Sequence, residues 1–402
     1  MEVLYLAIIF AVIVVIVWMK KPLYLAMMAG IVASILLFRI NPLEALTVLA
    51  KQTASWETID LLLSFYVIIF LQLMLEKKGR LANAKDAFNR LFRNRRINTM
   101  IPPAIMGLLP SAAVMTVCAD MVDQTCGDYL DAKSKTFVSC YYRHIPEMFL
   151  PTFPVILLAM SLSGQNVGTF ILTMIPLVIL ACLVVNFTYL RKIPKDMPPL
   201  DDTVDKKQEV LRLLRNLWTL ILVLVIIVAG NLSASFAGPI VIAINYFVDH
   251  FKAKDLPEML VKSAELVLLG NMYLIMLFKS LLSHTGVLGK LPEFFSQFPI
   301  SMTLSFFLLF FFGTVISGSQ AIVALCMPMV MAAFPDAGMP LLVMLMGVAW
   351  AAMEISPTHV CAFVAADYYH TTFADIFAKA LPSVLIFSVI CYGYGELLML
   401  VF

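Results

Sequence analysis

The chain carries very little charge. Asp, Glu, Lys and Arg make up 13% of its 402 residues, against roughly 25% in a typical soluble domain. Hydrophobic residues make up 61%, and the mean hydropathy is +0.93. This composition excludes a water-soluble globule and calls for a bilayer as solvent. A formal net charge of +2 gives no basis for nucleic-acid binding. Cysteine pairing is also missing. Cys118, Cys126, Cys140, Cys182, Cys326, Cys361 and Cys391 fall singly in apolar runs, with no C-x-x-C. That points to reduced, buried thiols and away from a disulfide frame or a zinc site. The opening MEVLYLAIIFAVIVVIVW has no basic n-region and no A-x-A cleavage site, so it reads as a first span and not a removed signal peptide. H-E-x-x-H, G-x-S-x-G, Walker A and heptad patterns are all absent, which leaves an enzyme without a visible constellation.

What is present is a succession of apolar runs. Those long enough to cross about 30 Å of hydrocarbon lie at about 3–19, 22–38, 57–76, 168–190, 216–236, 259–281 and 380–402, with a shorter run at 239–249. Two more, about 138–161 and 340–366, bring the expected crossings to ten. Two stretches, about 99–123 and 300–334, are interrupted by Gly, Pro and Ser. Each arm has the length of half a bilayer, so they read as re-entrant hairpins. Their tips fall near Pro110–Ala112 and Ser317–Gln320. The basic residues set the orientation. The segment 77–96 holds eight Lys and Arg and the linker 191–215 holds seven. With both on the cytoplasmic side, 23 of the 28 basic residues lie inside and both termini lie outside. The first hairpin then enters from the cytoplasm and the second from outside. Trp18, Trp56 and Trp218 fall near the expected interfaces.

The two halves align with a shift of about 207 residues. SAAVMTVCADMV (111–122) faces SQAIVALCMPMV (319–330), and EMFLPT (147–152) faces EISPT (354–358) with a one-residue slip. Units 1–190 and 216–402, joined by the linker, each hold five crossings and one hairpin. An odd number of crossings inverts the second unit, the pattern of secondary transporters with a site at the midplane. Proline in each Glu-containing segment removes a backbone donor and frees carbonyls, which breaks the helix. Two broken helices and two hairpin tips would therefore converge on one cavity. Ser111, Thr152, Ser317, Ser319, Gln320, Ser356 and Thr358 supply neutral hydrogen-bonding groups there, either for a solute or for the freed backbone.

Glu147 and Glu354 stand out, because a carboxylate inside a membrane is costly and tends to bind a proton or a cation. Glu147 has Arg143 one turn away as an alternative partner; Glu354 has no basic residue within a turn. Arg143 suits either an anionic solute or neutralisation of Glu147, Asp120 or Asp123. Asp120 and Asp123 share a helix face and fit a cation site or salt bridges to Arg143 and His144. His144 and His359 are candidate proton carriers, or hydrogen-bonded structural imidazoles.

CYYRHIPEMFLPTFP (140–154), GLLPSAAVMTVCADMVD (107–123) and ISPTHVCAFVAADYY (355–369) resemble an uncharacterised prokaryotic integral membrane family. That family is grouped in the ion transporter superfamily, beside divalent anion/sodium symporters, citrate carriers and arsenite permeases. Its Arg-His-x-x-Glu and Ser-Pro-x-His elements correspond to Arg143, His144 and Glu147, and to Ser356, Pro357 and His359. The resemblance implies an all-α polytopic protein of the cell (inner) membrane, with ten spans and two hairpins. It also implies a homodimer with an elevator-type transport domain. The Ser-Asn-Thr motif of the dicarboxylate symporters is missing, so their sodium sites are not carried over. The expected function is ion-coupled carriage of a small anionic organic solute such as a carboxylate, with sodium or a proton as the coupling ion and no other cofactor. Amino-acid or oxyanion transport, a channel and an intramembrane enzyme are the alternatives. The mobile unit would contain about 99–190 and 300–402.

Overall fold

In the computed structural model, residues 2–19, 21–92, 94–108, 114–197, 205–295, 297, 299–334 and 337–401 are described. The described chain is all-helical, with an isolated antiparallel bridge between Asn94 and Asp196 and no strand. Its helices fall in two runs of ten. The first is α1 (Glu2–Trp18), α2 (Leu23–Leu37), α3 (Pro42–Thr53), α4 (Trp56–Lys77), α5 (Arg80–Leu91), α6 (Arg95–Met106), α7 (Val114–Cys126), α8 (Ala132–His144), α9 (Pro154–Ser163) and α10 (Val167–Thr188). The second is α11 (Lys206–Gly230), α12 (Ala234–Val248), α13 (Leu256–Ser263), α14 (Leu266–Thr285), α15 (Leu291–Phe295), α16 (Met302–Ser317), α17 (Ser319–Ala333), α18 (Gly338–Met353), α19 (Val360–Tyr369) and α20 (Phe373–Met399). From α6 to α10, each helix start recurs 205–207 residues later, as in Arg95 to Met302 and Ala132 to Gly338.

Among the described residues, α4, α10, α11, α14 and α20 are long and apolar enough to cross a membrane. At 22 residues, α4 and α10 each extend about 33 Å. Large apolar side chains such as Leu36, Leu172, Phe187, Val225 and Val389 are exposed on the outside of the bundle. Helices apolar on both faces belong in a membrane-embedded protein. Local chemistry places the ends. Asn41, Ser55, Asp131, Asn166 and Ser301 cap α3, α4, α8, α10 and α16 through side-chain acceptors.

Three short amphipathic helices were not expected from the sequence. The charged segment 77–96 contains α5, whose Leu81, Ala84, Ala87 and Phe88 are buried, and α5 packs on α11. The run 259–281 splits after Ser263, leaving α13 ahead of α14, as α3 precedes α4.

The packing partners also come in pairs. The α4 helix lies against α12 and α13, while α14 lies against α2 and α3; α9 meets α17, and α19 meets α7; α8 meets α20, and α18 meets α10. Two helical hairpins, α6–α7 and α16–α17, pack on α8 and α18 respectively. The arms of the second pack at Gly313, where an added Cβ would lie 2.3 Å from Ile322 Cδ1; small residues permit this kind of close approach. The turn between these arms is Gly318, with φ +86° and ψ 157°, a conformation essentially confined to glycine. It falls inside the expected tip. The first tip, with Ser111, lies outside the described residues.

The centre of the molecule belongs to α8 and α18. Every residue of α18 is buried, as is nearly all of α8 from Thr136 onward. Both helices stop abruptly inside the protein.

Candidate functional site

Helix α8 ends at His144, and Pro146, Pro151 and Pro154 then withhold three backbone donors before α9 is established. Helix α18 ends at Met353, and Pro357 lies in the gap before α19. Each break leaves carbonyls without intrahelical partners, and side chains from elsewhere take them. The Trp350 indole donates to His144 O at 2.7 Å, tying the end of α8 to α18. Ser356 Oγ donates to Val315 O at 2.8 Å, a carbonyl stranded by the Gly318 turn. Ser356 also lies 2.8 Å from Thr358 Oγ1 and accepts from Thr358 N at 3.2 Å. Gln72 on α4 reaches Leu108 O and Thr152 O at 3.5 and 3.4 Å, touching the first hairpin and the first break together.

Between the two breaks sits a cluster of titratable side chains. His144 Nδ1 is 2.7 Å from Cys140 O. A carbonyl only accepts, so Nδ1 carries the proton and Nε2 is the acceptor. Into Nε2 point Arg143 Nη1 at 2.6 Å and His359 Nε2 at 3.0 Å, so the His359 nitrogen is the N–H side of its ring. The rings cross at 70° with centroids 4.4 Å apart. Glu354 Oε1 lies 3.7 Å from His144 Nδ1 and Glu147 Oε2 3.9 Å from His144 Nε2. Cys140 Sγ is 3.7 Å from His144 Nδ1. Glu354 is 1% exposed, and among the described residues no N–H or O–H donor meets either of its oxygens.

The structure therefore brings together Arg143, His144, Glu147, Glu354 and His359. It places the hydroxyls differently. Ser317 Oγ bonds back to Gly313 O at 2.8 Å, and Ser356 is committed to Val315, so both serve the backbone in this conformation. Thr152 Oγ1 is buried and has no hydrogen-bond partner among the described residues. Among the described residues, Ser319 and Gln320 donate to the sulfurs of Met353 and Met272, at 3.8 and 3.9 Å, while Thr358 is exposed. Asp120 and Asp123 do share a face, but it turns away from the cluster. Asp120 accepts from Gln124 at 2.7 Å and Tyr368 at 3.2 Å, and Asp123 pairs with Lys135 at 2.6 Å. The inward face of α7 is Met115, Cys118, Ala119 and Val122. Cys140 and Trp350 were missed in the sequence. Cys140 stands four residues before His144, one helical turn away on the same face, and that spacing was the available signal.

A cavity of about 250 Å³ lies beside the first break. It reaches from Glu57, Asp60 and Ser64 on α4 to Pro151, Ser161 and Gln165. Glu57 pairs with Lys279 at 2.5 Å, and Asp60 accepts from Ser233 at 2.7 Å.

A family model described as a protein of unknown function (DUF401) matches residues 3–401. No curated protein matches the chain.

Proposed function

The chain belongs to the DUF401 family, and we propose that it is an ion-coupled secondary carrier for a small anionic organic solute such as a carboxylate. The observation that carries this reading is the convergence of two broken, centrally buried helices on Arg143, His144, Glu354 and His359. An ionised carboxylate as enclosed as Glu354 costs several kcal/mol unless a proton or cation joins it. Binding and release of that ion is then coupled to the surroundings of the two breaks. Arg143 is the group that would meet the solute's charge. Nitrogen donors dominate the cluster, which suits a proton better than sodium, an ion that favours several oxygens. The paired helix order and reciprocal packing support two inverted repeats; ten crossings of the prokaryotic cell membrane with both termini outside belong to the same proposal. The grouping with the ion transporter superfamily is part of it. A homodimer working as an elevator belongs to the same proposal.

The test is a melting screen of detergent-purified protein against carboxylates, amino acids and oxyanions, with and without sodium and at two pH values. A solute at 100 times its dissociation constant adds about 2.7 kcal/mol. The expected outcome is a pH-dependent hit among the carboxylates that Glu354→Gln abolishes, followed by uptake into proteoliposomes that the variant also lacks. A hit among amino acids or oxyanions moves the substrate class. Channel conductance without saturation, or solute turnover, overturns the carrier. A hit unaffected by Glu354→Gln removes that glutamate from the site.

A further inference from the structure

The donors around His144 form a set that ordinary ion coupling does not require. Cys140, His144 and His359 each offer a ligand atom, and the three atoms lie within 4.8 Å of one another. All three residues are buried, at 0, 2 and 7% exposure, and Glu354 beside them is at 1%. Metal–donor bonds of about 2.0–2.3 Å at tetrahedral angles separate neighbouring donors by about 3.3–3.8 Å. His144 Nδ1 stands 3.7 Å from Cys140 Sγ and 3.7 Å from Glu354 Oε1, which is that spacing. Among the described residues, no N–H or O–H donor meets either Glu354 oxygen or His359 Nδ1, so donor atoms with free lone pairs already lie in a buried cluster. Two of the four residues lie one turn apart on α8, and two flank the second break. Ligands drawn in pairs from two elements are held without any C-x-x-C motif.

We infer that Cys140, His144, His359 and Glu354 bind a divalent transition-metal ion of the zinc class. A thiolate and two imidazoles select zinc, cobalt or copper over magnesium and calcium, which take oxygen ligands. The thiolate and the Glu354 carboxylate balance the two positive charges, so the ion is not left uncompensated among apolar helices. Binding requires His144 to exchange its tautomer. Nδ1 gives up its bond to Cys140 O and ligates, and the ring proton moves to Nε2. Arg143 and the His359 Nε2–H then withdraw from His144 Nε2 as His359 turns to ligate through Nδ1. Glu147, 3.9 Å away, is placed to accept the new N–H, as carboxylates behind metal-bound histidines do. The Cys140 thiol loses its proton to solvent as the bond to the metal forms, so affinity rises with pH. This site does not depend on the chain being a carrier.

The experiment uses the full-length protein in detergent, stripped with a chelator and titrated with Co²⁺. The expected result is saturable binding with a sulfur-to-cobalt charge-transfer band and tetrahedral ligand-field bands, both displaced by Zn²⁺. Cys140→Ser should remove the charge-transfer band. Glu147→Gln should weaken binding by about 10–100-fold, as loss of an outer partner of a ligating histidine does. Cobalt binding without a thiolate band, or binding unchanged in a Cys140→Ser/His359→Gln double variant, means an adventitious ion only and overturns the site. If those variants do not yield folded protein, X-ray absorption of zinc-loaded wild type decides. One sulfur with imidazole scattering supports the assignment, and an all-oxygen shell refutes it.

Discussion

Replacing Gly107 with alanine tests the packing that holds the candidate site together. Gly107 follows α6 with φ −59° and ψ −16°, an ordinary helical conformation, so alanine meets no backbone strain. The obstacle is steric. A Cβ there would fall 1.9 Å from Arg143 O and 2.9 Å from its carbonyl carbon, where an ordinary contact needs about 3.4 Å. The first hairpin and the last turn of α8 must therefore part by about 1.5 Å. Neither is a flexible side-chain end that can swing aside. Overpacking of a tight core costs about 1–3 kcal/mol, and with backbone as the obstacle the upper end applies, about 3 kcal/mol. An unfolding entropy near 2.1 cal/mol/K per residue converts this to about 3–4 °C for a chain of this length. A membrane protein that unfolds only in part in detergent shows a larger shift. The control is Gly270→Ala, inside α14 with nothing within 4 Å of the added carbon, where better helix propensity stabilises by up to about 1 kcal/mol. Intrinsic-fluorescence melting of both variants makes the comparison. A Gly107→Ala protein melting within 1 °C of wild type would refute the close seating of α6 on Arg143.

Two further outcomes follow from other contacts. Trp350→Phe keeps the ring but removes the donor to His144 O. A buried carbonyl left unmatched costs about 1–3 kcal/mol, so melting should fall, and an unchanged melt would show that the tie carries no energy. At one end of the bundle, the Lys77 ammonium, 2.9 Å from Asp255, holds the Asp255 carboxyl below its ordinary range. A lowered folded value stabilises above the unfolded pKa of about 3.9 and is lost as pH falls through the folded value. Asp255→Asn should thus melt slightly below wild type at pH 7, and the gap should close toward pH 3. A gap that widens on acidification contradicts the assignment.

The helices and the breaks were legible because they rest on one-dimensional signals. Apolar runs mark the long helices, Pro151 and Pro357 mark the interruptions, and Gly318 falls in the stretch read as a hairpin tip. The helix α5 was hidden by its own charge. Leu81, Ala84 and Phe88 recur at helical spacing, but the eight basic residues in 77–96 were read only for the side of the membrane they mark. The Asp120–Asp123 spacing correctly predicted a shared face, yet only tertiary packing decides which way that face turns, and it turns to Lys135 and Tyr368. His144 and His359 are 215 residues apart, so nothing local announces that their rings touch. Cys140 becomes meaningful only after that contact exists.

The way each break is satisfied bears on how the proposed carrier would move. His144 O at the end of α8 is taken by Trp350 of α18, and His144 itself meets His359 beyond the second break. The carbonyl stranded by Gly318 is taken by Ser356, binding the second hairpin to the second break. Hairpin arms also cross between halves, with α9 on α17 and α19 on α7. Rocking one half of the chain against the other would strip Trp350 from His144 O, leaving a buried carbonyl unmatched at about 1–3 kcal/mol, and would part His144 from His359. Sliding both breaks and both hairpins together, against α4 and α14 and their neighbours, leaves every one of these bonds intact. The cross-half ties therefore favour the elevator reading over rocking, and they identify Gln72, which reaches from α4 to Thr152 O and Leu108 O at 3.4 and 3.5 Å, as a contact that such a movement must break.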